Sequence, residues 1–168
     1  MHLIVDGYNL LHVTRSLSKL SSDELQWERD QLIHRLSAYR QLKPCEITVV
    51  FDGWQGGWVT GKKEWKKGIE LIFSKLGEKA DEVIKRLVKE KGSGAVVITS
   101  DREVATYAEK MAAAVIPSDQ FRDKMERSAL RIEKPYEEDE EERGAKGKGP
   151  SKRLSKRAKR LKAALKKL

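Results

Sequence analysis

The sequence predicts an α/β fold in which helices cover both faces of a mainly parallel sheet. Short apolar runs rich in β-branched residues recur along the chain, and ITVVF (47–51) and AVVIT (95–99) show no alternation of polar and apolar residues. Strands of this kind are buried on both faces. Helical patterns separate the strands, which is typical of parallel sheets. These observations predict a three-layer α/β/α sandwich.

Five strands and three helices are predicted before residue 117. The strands are apolar runs bounded by turn-forming residues, namely His2–Val5, Ile47–Phe51, Ile69–Phe73, Ala95–Thr99 and Ala113–Ile116. The helices repeat apolar residues every three or four positions, and they are Ser22–Leu42, Glu78–Lys91 and Asp101–Met111. After residue 116 the strand signal is lost.

The composition changes twice beyond residue 136. Residues 137–142 are all acidic, and the Gly- and Pro-containing stretch GAKGKGPS follows them as a linker. Residues 151–168 then place leucine and alanine at helical spacing among lysines and arginines, which predicts a basic amphipathic helix. We expect one domain over residues 1–136, an acidic run and linker over 137–150, and a tail over 151–168 that the linker separates from the domain.

Positive charge is concentrated in the tail. Of a formal net charge of +9, residues 143–168 contribute twelve lysines and arginines and no acid, whereas residues 137–142 contribute six acids, which leaves +3 for residues 1–136. A basic helix binds nucleic acid or an anionic membrane. Because its apolar stripe has no aromatic residue, RNA, including ribosomal RNA, is the expected partner and a membrane is not. Alternatively, the acidic run folds back on the tail and masks it.

The composition also argues against several kinds of site and location. Cys45 is the single cysteine, so no internal disulfide forms, and the cysteine and histidines lack the spacing of a zinc site. Asp6 interrupts the first apolar run after LIV, so neither a signal peptide nor a membrane span is predicted. We expect the protein to be cytoplasmic.

Aspartate follows three of the predicted strands. Asp6 comes after LIV, Asp52 after ITVVF and Asp101 after AVVITS. The carboxyl ends of parallel strands share one edge of the sheet, and ligands of open α/β sheets lie beyond that edge. Asp81, in the first turn of the helix at Glu78–Lys91, can point to the same edge. Four carboxylates are therefore predicted to meet there.

This expected carboxylate cluster favours a metal site. Like charges repel and burial opposes ionisation, so such a cluster is tolerated chiefly when a cation neutralises it. Oxygen ligands alone favour Mg²⁺ or Mn²⁺, and Mg²⁺ binds carboxylates together with a substrate phosphate, which suits hydrolysis of a phosphodiester. Asn9 can supply a neutral amide that orients a carboxylate or a phosphate.

Each acid also has a purely structural interpretation. The dipeptide Asp-Gly, which occurs at Asp6 and Asp52, is common in turns. Ser100 and Glu103 have the spacing of a helix capping box, and Asp81 suits the helix dipole. Turns and caps have no reason to coincide at one edge of a sheet, and this coincidence favours the metal site.

The stretch GWQGGWVTGKKEWKKG (53–68) is rich in tryptophan and lysine. It contains G-x-x-x-x-G-K, but Lys63 stands where a phosphate-binding loop needs serine or threonine, so a nucleotide-binding loop is not expected. Tryptophan mixed with lysine suits stacking on unpaired bases and contact with phosphates. The alternative is a long loop whose tryptophans pack on the domain.

Four segments in order resemble one family of nucleases. VDGYN, VVFDG, FSKLGEKADEVI and VITSDREV are similar to the YacP-like branch of the NYN domains, which are PIN-like, metal-dependent ribonucleases. The resemblance spans roughly residues 1–125. Lys79 departs from the threonine of the family's GETAD-type motif, although the aspartate is kept. The resemblance implies a metal site formed by Asp6, Asn9, Asp81 and Asp101, with Asp52 as a further acid.

We therefore predict a Mg²⁺- or Mn²⁺-dependent endoribonuclease that cuts single-stranded RNA. Asp6, Asp81 and Asp101 are predicted to bind the metal, and Asn9 and Asp52 to assist catalysis. A non-catalytic RNA- or ribosome-binding module is the alternative, but clustered acids do not help a protein to bind a polyanion; a phosphatase would need a D-x-D motif, which DGY lacks. The predicted RNA contacts are Trp54, Trp58, Lys62, Lys63, Lys75, Ser100, Arg102, Lys152, Arg153, Lys156 and Arg157.

Overall fold

The computed structural model describes residues 1–13, 16–17, 19–53, 60–133 and 156–167. Within these ranges the chain forms six strands, six helices and a short 3-10 turn at Gly92–Gly94. The strands are β1 (His2–Asp6), β2 (Glu46–Phe51), β3 (Lys62–Lys66), β4 (Ile69–Phe73), β5 (Ala95–Ile98) and β6 (Ala114–Ile116). The helices are α1 (Gly7–His12), α2 (Ser22–Leu42), α3 (Ala80–Lys91), α4 (Arg102–Lys110), α5 (Ser118–Glu133) and α6 (Lys156–Lys167).

The strands of the described chain form one sheet in the order β3-β4-β2-β1-β5-β6. Neighbouring strands are parallel except for β3, which pairs antiparallel with β4 at one edge. Strand β1 lies between β2 and β5, so that Leu3 is level with both Ile47 and Val96. The strand order reverses beside β1, and the carboxyl ends of β1, β2 and β5 therefore meet at the position where such sheets bind ligands.

Helices cover both faces of the sheet, which confirms the predicted three-layer α/β/α sandwich. One core lies between the sheet and helices α1, α2 and α5, and its fully buried side chains include Leu36, Phe51 and Phe121. The other core lies between the sheet and helices α3 and α4, where Ile84 and Val97 are fully buried. Burial on both faces explains why the central strands are continuously apolar.

Three elements differ from the prediction. Helix α1 follows β1 directly, and α5 forms where the sequence shows only a loss of strand signal. Strand β3 forms inside the stretch interpreted as a long loop, and it carries Lys62 and Lys63. Its residues are mostly charged because an edge strand is not buried on both faces, so it lacks the apolar run by which the central strands are recognised.

Helix α6 packs against the domain. It lies beside β6, its residue Ala164 is only 5% exposed, and Leu161 packs on the core that contains Phe121. The expectation that the linker separates the tail from the sheet is therefore wrong for residues 156–167. The proposed division at residues 136 and 150 stays a prediction, because residues 134–155 lie outside the described part. None of the helices in the described ranges has the length and apolar character needed to cross a bilayer.

Candidate active site

Asp6 is the last residue of β1, and its carboxylate lies between two elements. Its Oδ1 accepts a hydrogen bond from the Asn9 backbone N–H at 3.1 Å, which caps helix α1. Its Oδ2 accepts a hydrogen bond from the Thr99 hydroxyl at 3.2 Å. Asp6 is 7% exposed, so these two bonds hold a nearly buried carboxylate between β1 and the end of β5.

Two glycines follow the strand-end aspartates because close packing requires them. A Cβ atom on Gly7 would lie 2.3 Å from the Phe51 ring, and a Cβ atom on Gly53 would lie 1.8 Å from the Ser74 carbonyl oxygen. Neither contact is possible for a larger residue unless the neighbouring chain moves. The glycines therefore let the neighbouring backbone and ring approach the strand ends, and the turn interpretation of the two Asp-Gly dipeptides stays a prediction.

Asp52, which follows β2, connects that strand to helix α3. Its Oδ1 accepts a hydrogen bond from the Ala80 N–H at 2.7 Å. This bond replaces a local cap, because Lys79 at the N-cap position makes no side-chain capping bond. Asp81, the next residue of α3, is thereby held near the strand ends. Among the described residues, the Asp81 carboxylate has no hydrogen-bond partner.

Asp101 follows β5 and caps helix α4. Its Oδ1 accepts hydrogen bonds from the N–H groups of Glu103 at 2.7 Å and Val104 at 3.0 Å. Ser100 is therefore not the cap, and the predicted capping box does not form. The Ser100 hydroxyl instead accepts a hydrogen bond from the Ser118 N–H at 3.1 Å. Capping occupies one oxygen of Asp101, so the aspartate can cap the helix and still present its second oxygen.

Asn9 joins three elements around the acids. Its Oδ1 accepts hydrogen bonds from the Ser100 N–H at 2.9 Å and from the Ser118 hydroxyl at 3.0 Å. Thr99, which is buried, accepts a hydrogen bond from the Asp101 N–H at 3.1 Å while it donates to the carboxylate at the end of β1. The two networks hold α1, the end of β5 and the start of α5 together.

Burial and mutual repulsion raise the pKa of two of these carboxylates. The pKa of Asp6 is raised from 3.8 to about 6, chiefly by burial; its two hydrogen bonds lower the pKa, and the charges of Asp81 and Asp52 raise it. The pKa of Asp81 is also raised, first by burial and then by the charges of Asp101 and Asp52. The four acids therefore share one electrostatic environment, in which a bound cation would be favourable.

One lysine links the helices that carry Asp81 and Asp101. The Lys85 ammonium lies 2.5 Å from a Glu103 carboxylate oxygen and 3.2 Å from one of Glu82. These hydrogen bonds raise the pKa of Lys85, and the bond to Glu103 has the larger effect. The charge of Lys85 in turn lowers the pKa of Asp81. Lys85 therefore ties α4 to α3 and partly offsets the negative charge of the acids.

The donor set suits a partly hydrated divalent cation. The acids offer only oxygen, the donor that Mg²⁺ and Mn²⁺ prefer. Within the described residues no three acidic, histidine or cysteine side chains are grouped closely enough to hold a metal ion by themselves. Mg²⁺ retains several waters and binds through one or two carboxylates. The arrangement therefore fits a hydrated Mg²⁺ and does not fit a closed, zinc-type cage.

The predicted RNA contacts that have described side chains fall into two groups. Lys62, Lys63 and Lys75 line a pocket of about 260 Å³ beside the end of β4. Ser100 and Arg102 line a cavity of about 440 Å³ beyond β5. The acids lie between these two groups of residues along the sheet. The remaining predicted contacts lie outside the described side chains and stay predictions, and they are Trp54, Trp58, Lys152, Arg153, Lys156 and Arg157.

Sequence reasoning missed three residues of this site. Thr99 is a polar residue at the carboxyl end of a buried strand, and that position was a usable signal because buried hydroxyls need partners. Ser118 was missed because α5 was not predicted. Lys85 lies four residues after Asp81, on the same helix face, but its partner Glu103 belongs to another helix, and local patterns do not reveal such a pair.

Comparison with known proteins agrees with this architecture. An uncharacterized protein YacP of Bacillus subtilis (strain 168) is 35% identical over 89 residues, which cover 52% of this chain and 51% of that protein, so the chain matches about half the length of this relative. The crystal structure of Rae1 (YacP) from Bacillus subtilis has a TM-score of 0.65 at 28% identity, over 80% of this chain and 79% of that one. A tryptophan-to-leucine variant of Rae1 gives 0.66 at 27% identity, over 79% of both chains.

The family profile extends further than the four sequence segments. The profile of the YacP-like NYN domain matches residues 3–167. It therefore includes helix α6, in agreement with the packing of α6 on the domain. Together with the nuclease-like fold shared with Rae1, this match shows that the chain belongs to the YacP-like NYN domain family.

Proposed function

We propose that this protein is a metal-dependent endoribonuclease that cuts single-stranded RNA. The observation that supports the proposal most strongly is the electrostatic coupling of four aspartates from four parts of the fold. Asp6, Asp52 and Asp101 each cap a helix. Capping alone gives no reason for carboxylates to stand where their charges raise the pKa of Asp6 and Asp81, whereas acids with perturbed pKa values at a sheet edge are typical of functional sites.

Mg²⁺ or Mn²⁺ is the proposed cofactor, and Asp6, Asp81 and Asp101 are the residues that would hold it, one or two of them directly and the rest through metal-bound water molecules. Such an ion lowers the pKa of a water molecule and stabilises charge on the departing oxygen of a phosphodiester. The Asp81 carboxylate makes no hydrogen bond within the described residues, and Asp101 uses one oxygen for both of its capping bonds. Both residues therefore have carboxylate oxygens available.

Asn9 and Asp52 are proposed to assist by positioning the other acids. Asn9 holds the backbone of Ser100, the residue before Asp101. Asp52 holds the backbone of Ala80, the residue before Asp81. Each of these hydrogen bonds holds the residue just before a proposed metal-binding aspartate. A small displacement of Asn9 or Asp52 would therefore move that aspartate.

Lysine and arginine side chains on both sides of the acids supply attraction for RNA. Phosphates are repelled by the carboxylates, and lysine and arginine side chains nearby reduce that repulsion and concentrate the polyanion at the site. RNA, including ribosomal RNA, is therefore the proposed partner, in the cytoplasm. A non-catalytic RNA- or ribosome-binding module is the second candidate, and these basic side chains favour it as well, but the clustered acids do not.

Incubation of purified full-length protein with single-stranded RNA in the presence of Mg²⁺, Mn²⁺ or EDTA tests the proposal. Cleavage is expected with either metal and not with EDTA. A circular single-stranded RNA, which has no ends, should be converted to linear products, because the proposed cut is internal. Binding of RNA without cleavage under every metal condition would contradict the enzyme and favour the binding module.

A further inference from the structure

A cavity of about 440 Å³ lies at the edge of the sheet between α4, β6 and α6. Ser100, Asp101 and Arg102 line it on the side of the proposed metal site, and Arg160 and Leu161 of α6 also line it. Its volume lies in the range of pockets that enclose small organic ligands. Because Asp101 belongs both to the cavity lining and to the acid cluster, a molecule in the cavity would adjoin the acids.

The cavity lining combines apolar surface with charged side chains of both signs. Ala113, Val115 and Leu161 contribute apolar surface, and Arg102 and Arg160 contribute guanidinium groups. An apolar wall suits the face of a nucleotide base, and guanidinium groups bind phosphate through charged hydrogen bonds. The lining therefore matches a nucleotide better than a purely apolar or purely anionic ligand.

One acid in the lining is compatible with the same ligand. Glu109 of α4 also lines the cavity. A carboxylate can accept a hydrogen bond from the exocyclic amino group of a base. A free inorganic anion would gain nothing from this residue, which again favours a whole nucleotide.

Helix α6 brings Arg160 to the cavity through its own packing on the domain. Ala164 is 5% exposed and Leu161 packs on the first core, so the helix is anchored by apolar contacts. Lys159 and Lys162 are exposed on the same helix and do not line the cavity. Among the three basic residues of α6 whose side chains are described, Arg160 is therefore the one that lines this cavity.

We infer that the cavity binds a nucleotide of the substrate RNA that flanks the cleaved phosphodiester, with Arg160 and Arg102 contacting its phosphate. This inference rests on the proposed function. Helix α6 is then a wall of the substrate cleft and not a separate RNA-binding arm. Lys75 and Arg86 line the pocket on the other side of the acids, so the RNA strand continues in both directions from the cleaved bond, as internal cleavage requires.

The test compares Arg160→Gln with Lys162→Gln in the full-length protein, because both variants remove one charge from the same helix. The probe is a short, labelled single-stranded RNA, titrated in EDTA at several salt concentrations. Arg160→Gln is expected to weaken binding about tenfold and to reduce the slope of log affinity against log salt by about 0.7, the value for one lost phosphate contact. Lys162→Gln is expected to change affinity by no more than about twofold.

A second variant blocks the cavity without removing charge. Thr106 lines the cavity and is exposed, so Thr106→Phe fills space there without disturbing the core. It is expected to weaken RNA binding and to raise KM more than it lowers kcat, because the flanking nucleotide is bound alike in substrate and transition state. Thermal unfolding of the variant controls for folding.

The outcomes for the cavity and for the nuclease are distinguishable. If Arg160→Gln and Lys162→Gln have the same affinity and salt slope, or if Thr106→Phe binds RNA like the unmodified protein, the cavity assignment is overturned, whether or not the protein cleaves RNA. If RNA binding depends on Arg160 but no RNA is cleaved with any metal, the nuclease proposal fails and the cavity remains an RNA-binding site.

Discussion

The acidic centre and the basic flanks of this molecule are positioned by different parts of the fold. The acids stand at the ends of the buried strands β1, β2 and β5 or in the first turn of α3. The basic residues stand at the periphery, as shown by Lys62 on the edge strand β3 and Arg160 on the terminal helix α6. Changes in the centre should therefore affect the chemical step, and changes at the flanks should affect RNA affinity or stability.

The largest expected effect is the loss of cleavage on removal of a proposed ligand charge. Asp6→Asn or Asp101→Asn should reduce kcat at least about a hundredfold, because metal and electrostatic stabilisation contribute several kcal/mol to such reactions. The fold should persist, since asparagine is also a good N-cap residue. RNA cleavage and thermal unfolding should be measured with Asp23→Asn, an exposed position, as the control. Full activity of both variants at saturating Mg²⁺, with unchanged unfolding, would contradict the metal-site assignment.

The next effect is a pH dependence of stability that arises at Asp6. Its pKa rises from 3.8 in the unfolded chain to about 6 in the folded chain, so the folded chain binds the proton more tightly. The resulting stabilisation is complete below pH 3.8 and is lost as the pH rises through about 6. Without metal, the ionised carboxylate should therefore lower the free energy of unfolding at pH 7 by about 3 kcal/mol.

Urea unfolding in EDTA measures this effect. Asp6→Asn should be more stable than the unmodified protein at pH 7, and the difference should shrink towards pH 4. Mg²⁺ should stabilise the unmodified protein more than the variant, because only a ligand that binds the folded state raises stability. A stability difference that does not change with pH would show that the Asp6 carboxylate is not perturbed by burial.

A smaller effect is expected from removal of helix α6. Deletion of residues 156–168 should lower the free energy of unfolding by about 2 kcal/mol, because the apolar contacts of Leu161 and Ala164 with the core are lost. The exposed edge strand β6 should also promote self-association. Urea unfolding and size-exclusion chromatography measure the two effects, with Lys162→Gln as the control. Unchanged stability would mean that α6 does not pack on the domain.

The smallest effect is expected at the opposite flank. Lys75→Gln should weaken binding of single-stranded RNA by less than about threefold and reduce the salt slope by about 0.7, because one exposed phosphate contact is lost. Lys89→Gln, at an exposed position of α3 that does not line the pocket, is the matched control. Equal salt slopes for the two variants would show that the bound RNA does not contact this pocket.

Local sequence patterns predicted the helices and strands whose buried residues recur at a regular spacing. Helix Ser22–Leu42 and strand Ile69–Phe73 were predicted with the bounds that the structure has, because apolar spacing reports directly which face is buried. Strand β3 was missed because its charged residues carry no such period. The close packing around Gly7 and Gly53 was not predictable from local patterns, because the atoms that leave no room for a Cβ belong to Phe51 and Ser74, both of which are far along the chain from the glycine they contact.

The sequence by itself determined that aspartates end three buried parallel strands, and a parallel sheet brings such ends to one edge whatever the details of packing. Only the tertiary structure decided how the acids are held. The Asn9 amide is bonded to Ser118, 109 residues away, and Lys85 reaches Glu103, 18 residues away on another helix. The docking of α6 likewise depends on the contacts of Ala164 with a core built from distant elements. Local periodicity specifies which face is buried, but the partner of that face depends on the packing of the whole chain.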